Sequence, residues 1–182
     1  LFVGSKYALV TSNASSALLL ACKVLELKSG DLFWTVPTSY VATANCGLLC
    51  GFKIDFVDID PNTWNISLEN LEKKLEIAKK KKKLPKLIIV VHLGGLPVNP
   101  LKLKNLSTKY QFKIVEDASH SLGGKYFSKR IGCSKWSDIT IFSFHPVKII
   151  TTGEGGCCTT NQKKYYEKLI TLRDNGIVRD KK

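Results

Sequence analysis

The run Leu87-Ile-Ile-Val-Val91 constrains this chain more than any other stretch. Five consecutive apolar residues, four of them β-branched, read as a strand with both faces covered. Such strands belong to parallel sheets, where crossover helices pack on either side. The rest of the sequence supplies those helices in alternation with further strands. Strands are predicted over Lys6–Thr11, Leu32–Val36, Lys53–Ile59, Lys113–Asp117, Asp138–Phe144 and Cys157–Thr160. Helices are predicted over Ala17–Leu27, from Thr38 to a stop at Gly51, over Pro100–Tyr110 and over Gln162–Arg173. Another, capped by Ser67, runs to about Ala78 and puts Leu68, Leu71, Leu75 and Ala78 on one face. This alternation predicts an α/β fold with a mainly parallel sheet.

Composition narrows the function classes. The 182 residues suffice for one substantial domain. No apolar run approaches the roughly 20 residues of a membrane helix, so no membrane partner is expected. The formal net charge of +13 raises the alternative of a basic nucleic-acid-binding module built on Lys79–Lys86. The excess is mostly lysine, its densest cluster ends a predicted helix, and no aromatic stacking set accompanies it. That pattern predicts a solvated helix end and no nucleic-acid partner. Six cysteines without a C-x-x-C pair argue against a metal site and fit a reducing, cytoplasmic setting. The chain contains no methionine and does not start with one, so it is expected to be a fragment of a longer protein.

Four stretches carry candidate chemistry. Phe142-Ser-Phe-His-Pro-Val-Lys148 joins a strand to a lone lysine, followed by Thr151-Thr-Gly-Glu-Gly-Gly156. A lysine at a strand end can form a Schiff base with a carbonyl cofactor. Ser12-Asn-Ala-Ser-Ser16 opens a helix, where free N–H groups favour phosphate. Glu116-Asp-Ala-Ser-His120 ends a strand on two acids, whereas Asp138 begins one and reads as structural. Thr38-Ser-Tyr-Val-Ala-Thr-Ala-Asn45 begins a helix. On spacing alone each has an ordinary alternative: Lys148 as a surface lysine, Ser12–Ser16 as a plain N-cap, Tyr40 as a core tyrosine. His92, after the Leu87–Val91 strand, reads as a packed residue near the floor of a site.

Together these segments resemble the DegT/DnrJ/StrS aminotransferases, pyridoxal-phosphate (PLP) enzymes that aminate keto groups on nucleotide sugars. The similarity covers nearly the whole chain. It includes Asp58-Ile-Asp-Pro-Asn-Thr-Trp-Asn65 and Arg173-Asp-Asn-Gly-Ile-Val-Arg-Asp180, where Asn175 takes a family histidine's place. The resemblance implies a three-layer α/β/α sandwich, the large domain of fold-type I PLP enzymes, spanning 1–182. The N-terminal start and a small C-terminal domain are expected to be missing. It implies that Lys148 holds PLP and carries the proton, that Asp117 binds the pyridine nitrogen, and that His120 lies near the ring. Tyr40 is expected to pack on the ring. Ala14 and Ser15, which replace a family glycine and threonine, are expected to bind the phosphate with Ser143. His-Pro-Val before the lysine is similar to the pseudaminic-acid branch of the family. The implied acceptor is UDP-4-keto-6-deoxy-N-acetyl-L-altrosamine, with glutamate as amino donor and a homodimer as the working form. Another keto sugar nucleotide is the near alternative. The family's dehydratase-like members carry histidine in place of the lysine, so Lys148 argues against that route.

Overall fold

The structure is a computed structural model that describes residues 2–177. Val178, Arg179 and Asp180 of the last family-like segment therefore lie outside the described residues. A seven-stranded sheet forms the centre. Its strands are β1 (Tyr7–Thr11), β2 (Leu32–Thr35), β3 (Lys53–Phe56), β4 (Leu87–Val91), β5 (Lys113–Asp117), β8 (Ile139–Ser143) and β9 (Gly156–Thr160). A separate two-stranded ribbon pairs β6 (Lys125–Tyr126) with β7 (Lys129–Arg130). The sheet order is β1-β9-β8-β5-β4-β2-β3. Strands β3, β2, β4, β5 and β8 pair in parallel, while β9 runs antiparallel to both β8 and β1. The mainly parallel α/β fold is thus as expected, with one reversed strand.

Helices cover both faces. On one side α1 (Ala14–Val24), α2 (Ala42–Leu48) and α5 (Lys163–Arg173) bury Ala17, Leu18, Ala21, Cys22, Cys46, Tyr165 and Leu169 against Leu9, Phe33, Leu87, Ile89, Val115, Ile139 and Ile141. On the other, α3 (Leu68–Lys80) and α4 (Pro100–Tyr110) bury Leu71, Leu75, Leu103 and Leu106 against Trp34, Ile88, Val90 and Ile114. Alternate residues of β4 feed the two cores, which is why that strand is apolar throughout.

The caps follow the residues. Ser67 Oγ accepts from Asn70 N at 3.2 Å, and Asn99 Oδ1 accepts from Lys102 N at 3.1 Å with Pro100 as first helical residue. Several boundaries differ from the sequence reading. Helix α2 starts at Ala42, not Thr38, and ends at Leu48, so Ser39 and Tyr40 lie on the loop before it, and α1 ends at Val24 rather than Leu27. Helix α1 starts at Ala14, three residues early, because Asn13 caps it: its Oδ1 accepts from Ser16 N at 2.8 Å. Strand β3 stops at Phe56, and Ile59 instead bridges Ile66 across the Asp60–Asn65 turn. In that turn Asp60 Oδ1 accepts from Asn62 N and Asp60 O accepts from Trp64 N. Lys79–Lys83 are exposed at the end of α3, a solvated run with the cationic end of the helix favoured by its dipole.

Candidate functional site

The parallel strands β4, β5 and β8 end side by side, with Val91 opposite Asp117 and Asp117 opposite Ile141. Their carboxyl ends open into a cleft of about 650 Å³. Open α/β sheets bind ligands at this edge. Every residue singled out in the sequence for a site lines the cleft: Ala14, Ser15, Tyr40, Asp117, His120, Ser143 and Lys148.

Asp117 forms the floor and is 5% exposed. Its Oδ2 accepts from the Thr43 hydroxyl at 2.8 Å, and its Oδ1 accepts from Ser119 N at 3.2 Å and the Ser119 hydroxyl at 2.6 Å. With the Thr43 proton committed to Asp117, the Ser39 hydroxyl donates to Thr43 at 2.9 Å. The carboxylate is therefore oriented from both sides, by α2 and by its own strand end. Thr43 and Ser119 were not read as site residues. Thr43 sat in plain view within the Val41-Ala-Thr-Ala-Asn45 segment, but only the fold brings α2 over the end of β5.

The neighbouring acid does something else. Successive strand residues face opposite sides, so Glu116 points into the other core. Its Oε2 accepts from Thr140 Oγ1 at 2.6 Å and Ser137 Oγ at 2.9 Å, and its Oε1 lies 3.6 Å from His92 Nε2. Burial alone would raise its pKa; the His92 interaction and the two hydroxyls outweigh that and leave it below the ordinary carboxylate value. His92 is 1% exposed, accepts from Val98 N through Nδ1 at 3.1 Å, and does not line the cleft. It is a packed residue, as read. Asp138 stands at the opposite end of β8 from the cleft, where it accepts from Ile114 N, Lys113 Nζ and Gln162 Nε2.

The first turn of α1 forms one wall. A helix start leaves its leading N–H groups without intrahelical partners. Asn13 takes that of Ser16, which leaves those of Ala14 and Ser15 for an anion in the cleft. Ala14 lies inside the helix, so the alanine in a family glycine's place adopts an ordinary backbone there. The approach of this turn to the sheet depends on Gly156. A Cβ at Gly156 would stand 2.4 Å from Asn13 C and O and 2.6 Å from Ala14 N. Gly156 also pairs with Ser143 on β8 and with Thr11 on β1, so one glycine gathers the helix start and Ser143 at one edge.

Lys148 sits on the loop joining β8 to β9, in a turn closed by its N–H to His145 O at 2.9 Å. The loop is fastened at its base: Phe144 N donates to Gly155 O, and Thr152 N and the Thr151 hydroxyl both donate to Phe144 O. Thr152 Oγ1 donates to Glu154 O, and Gly153 takes a φ of +77°. The Thr151–Gly156 segment is thus the brace of the lysine loop. Among the described residues the Lys148 side chain makes no ion pair. His120 lies on the opposite wall, where its Nδ1 accepts from Gly94 N at 3.3 Å. Burial and the Lys148 cation push its pKa down, and Asp117 partly opposes them. Tyr40 stands at the mouth, 75% exposed.

The cleft thus has an anion-binding helix start, a buried carboxylate and a lysine amine, spaced around a volume fit for a cofactor-sized molecule. A phosphorylated pyridine aldehyde has matching groups: phosphate, ring nitrogen and carbonyl. The residues present fit PLP. No group of three or more His, Cys, Asp or Glu among the described residues is placed to hold a metal.

Comparison with known proteins gives the same direction. Residues 1–182 match the DegT/DnrJ/EryC1/StrS aminotransferase family. The UDP-4-amino-4,6-dideoxy-N-acetyl-β-L-altrosamine transaminase of Campylobacter jejuni is 42% identical over 179 residues, covering 98% of this chain and 46% of that protein. Among solved structures, Helicobacter pylori PseC, an aminotransferase of pseudaminic acid biosynthesis, superimposes with a TM-score of 0.90 at 34% identity. That match covers 99% of this chain and 47% of PseC. A GDP-4-keto-6-deoxymannose-3-dehydratase with a trapped PLP-glutamate geminal diamine superimposes with a TM-score of 0.88 at 31% identity, covering 96% and 45%. The chain therefore spans about half the length of the relatives it matches.

Proposed function

The chain belongs to the DegT/DnrJ/EryC1/StrS aminotransferase family, and from that premise we propose that residues 1–182 are the PLP-binding large domain of a nucleotide-sugar aminotransferase. The acceptor we favour is UDP-4-keto-6-deoxy-N-acetyl-L-altrosamine, with glutamate as amino donor, in pseudaminic acid biosynthesis. The working form is a homodimer in the cytoplasm. The observation that carries this reading is the meeting of Lys148, Asp117 and the α1 start on one cleft, although they come from separate parts of the chain.

PLP, when bound, supplies an electron sink for the carbanion left when the donor loses its Cα proton. Ala14 N–H, Ser15 N–H and the Ser143 hydroxyl would hold the phosphate. Asp117, fixed by Thr43 and Ser119, would face the ring nitrogen, and Tyr40 and His120 would flank the ring. Lys148 Nζ would take the proton from the donor Cα and return one at the acceptor carbon that gains nitrogen. The depressed pKa of His120 favours its neutral imidazole beside the ring.

The dehydratase match supports a second reading, deoxygenation in place of amination. Lys148 argues against it, because the resemblance gives those enzymes a histidine there. The test is a mass-spectrometric product assay on the full-length protein with PLP, glutamate and UDP- or GDP-linked 4-keto-6-deoxy sugars. Gain of an amino group on the UDP-N-acetyl sugar is expected. Loss of a hydroxyl, or amination of a GDP sugar alone, would replace this reading.

A further inference from the structure

The cleft wall that carries His120 rests on a tight turn. Strand β4 ends at Val91, and Leu93–Gly95 follow as a single 3-10 turn closed by Leu96 N, which donates to Leu93 O at 3.1 Å. Leu93 lines the cleft. Gly94 N donates to His120 Nδ1 at 3.3 Å, and in the neutral ring this leaves the proton on Nε2. Gly95 packs on the same segment: its φ is +88°, and a Cβ there would stand 2.8 Å from His120 O. One buried side chain grips this turn from outside the cleft. Asn65 is 4% exposed and ends the Asp60–Asn65 turn, where Asp60 N donates to its carbonyl at 2.9 Å. Its Oδ1 accepts from Leu93 N at 2.9 Å, and its Nδ2 donates to Leu96 O at 2.9 Å. The two ends of one amide thus hold the two ends of the turn. Burying an amide is costly unless it is bonded, and both side-chain bonds of Asn65 go to the turn that carries Gly94. An aspartate could supply the acceptor alone, and a leucine neither group. His92 anchors the base of the turn: its Nδ1 accepts from Val98 N at 3.1 Å and its carbonyl from the Ser121 hydroxyl at 3.4 Å.

We propose that Asn65 is a positioning residue of the site: by fixing the Leu93–Gly95 turn it keeps the Gly94 N–H on His120 Nδ1, and so leaves Nε2–H as the donor His120 offers the cleft. Asn65 does not line the cleft and acts only through His120. Without the clamp Leu93 N and Leu96 O lose their partner, the turn relaxes, and the Gly94 N–H leaves Nδ1. The His120 ring can then turn, and its proton distributes between the two nitrogens. A donor of fixed position becomes one that must be reoriented each time a ligand oxygen arrives, which weakens binding. The consequence for the cofactor rests on the PLP reading above; the hydrogen-bond state of His120 does not.

The experiment is histidine ring-nitrogen NMR of the isotope-labelled full-length protein without PLP, at about pH 8, where an ordinary imidazole is neutral. His120→Gln identifies the His120 signals. In the wild type Nδ1 is expected at the unprotonated shift and Nε2 at the protonated one. In Asn65→Ala both should move towards their mean, the mark of mixed tautomers, and the Gly94 N–H should lose its protection from hydrogen exchange. Asn65→Asp keeps an acceptor for Leu93 N but sets a second oxygen against Leu96 O. It should behave alike, and it keeps the size of the side chain if Asn65→Ala does not fold. Asn161→Ala is the control: Asn161 Nδ2 donates to Cys133 O and Ser134 O, away from the cleft, so its loss should lower stability and leave His120 unchanged. A PLP absorbance titration completes the set, with Asn65→Ala expected to bind about 10-fold more weakly. A wild-type His120 that carries its proton on Nδ1 overturns the proposal without any variant. So do Asn65 variants that lose stability with the His120 signals unmoved, or that bind PLP as the wild type does. A wild type that binds no PLP at all overturns the cofactor reading alone.

Discussion

Replacing Gly156 by alanine tests the link between sheet packing and the anion site. The new Cβ would meet Asn13 C and O at 2.4 Å and Ala14 N at 2.6 Å, all backbone atoms. Comfortable carbon contacts begin near 3.5 Å, so the start of α1 must move by about 1 Å. Overpacking of this kind costs about 1–3 kcal/mol. With a urea dependence of about 1–3 kcal/mol per molar, the unfolding midpoint should fall by about 1 M. The same shift withdraws the Ala14 and Ser15 N–H groups. Losing one charge-assisted hydrogen bond of about 1.5–3 kcal/mol weakens PLP binding by about 10- to 100-fold. The assay pairs urea unfolding with a PLP absorbance titration on the full-length protein. Gly30→Ala is the control: at φ +86° it is strained, yet nothing lies within 4 Å of the added Cβ and Gly30 is outside the cleft. It should lose about 1 kcal/mol through backbone strain and keep its PLP affinity. If Gly156→Ala loses stability but binds PLP as the wild type does, the reasoning from that glycine to the helix start is wrong.

Borohydride reduction of the PLP-loaded protein should fix the cofactor to the peptide carrying Lys148, and Lys148→Ala should show no transamination; label on another lysine would refute the assignment. Asp117→Asn should retain PLP through the helix start yet lose on the order of 10²-fold or more in turnover, and a near-normal rate would remove it from the ring nitrogen. Thr43→Val leaves Asp117 Oδ2 without its donor from α2 and should cost about 2 kcal/mol in urea unfolding; an unchanged midpoint would show that the bond holds nothing in place. His120 has a folded pKa below its unfolded value of about 6.5, so the unfolded chain binds its proton first as pH falls. Its contribution to stability is full above about pH 6.5 and is lost as pH drops through the folded value, so His120→Asn should flatten that part of the pH profile of the urea midpoint, and parallel profiles would contradict the shift.

Where local chemistry decides an element, the sequence was legible. Leu87–Val91 reads as a two-faced strand and is one, and Pro100–Tyr110 and the Ser67-capped helix fall where their caps put them. The residues that line the cleft were picked out through family likeness more than through physics, since nothing in spacing separates Lys148 from the other lysines. What escaped depends on distance along the chain. Thr43 meets Asp117 across 74 positions, and no local pattern signals that bond. The reversed direction of β9 is likewise invisible in Gly156–Thr160, whose residues suit either pairing. The helix start was misplaced because Ala14 to Ser16 lack the apolar period, and Asn13 capping outweighed it.

The edge position of β1 has a consequence for synthesis. Its sheet partner is β9, so of the seven strands of this sheet the one made earliest pairs with the one made latest. Strands β2 to β8 can register as they emerge, while Tyr7–Thr11 must wait with an unpaired edge until Gly156–Thr160 is translated. Loop closure over so long a separation makes that docking slow. The start of α1 hangs from β1, and Lys148 from the loop before β9. The anion-binding turn and the lysine therefore come together in the same late event, and a nascent chain stalled before β9 has neither wall of the cleft in place.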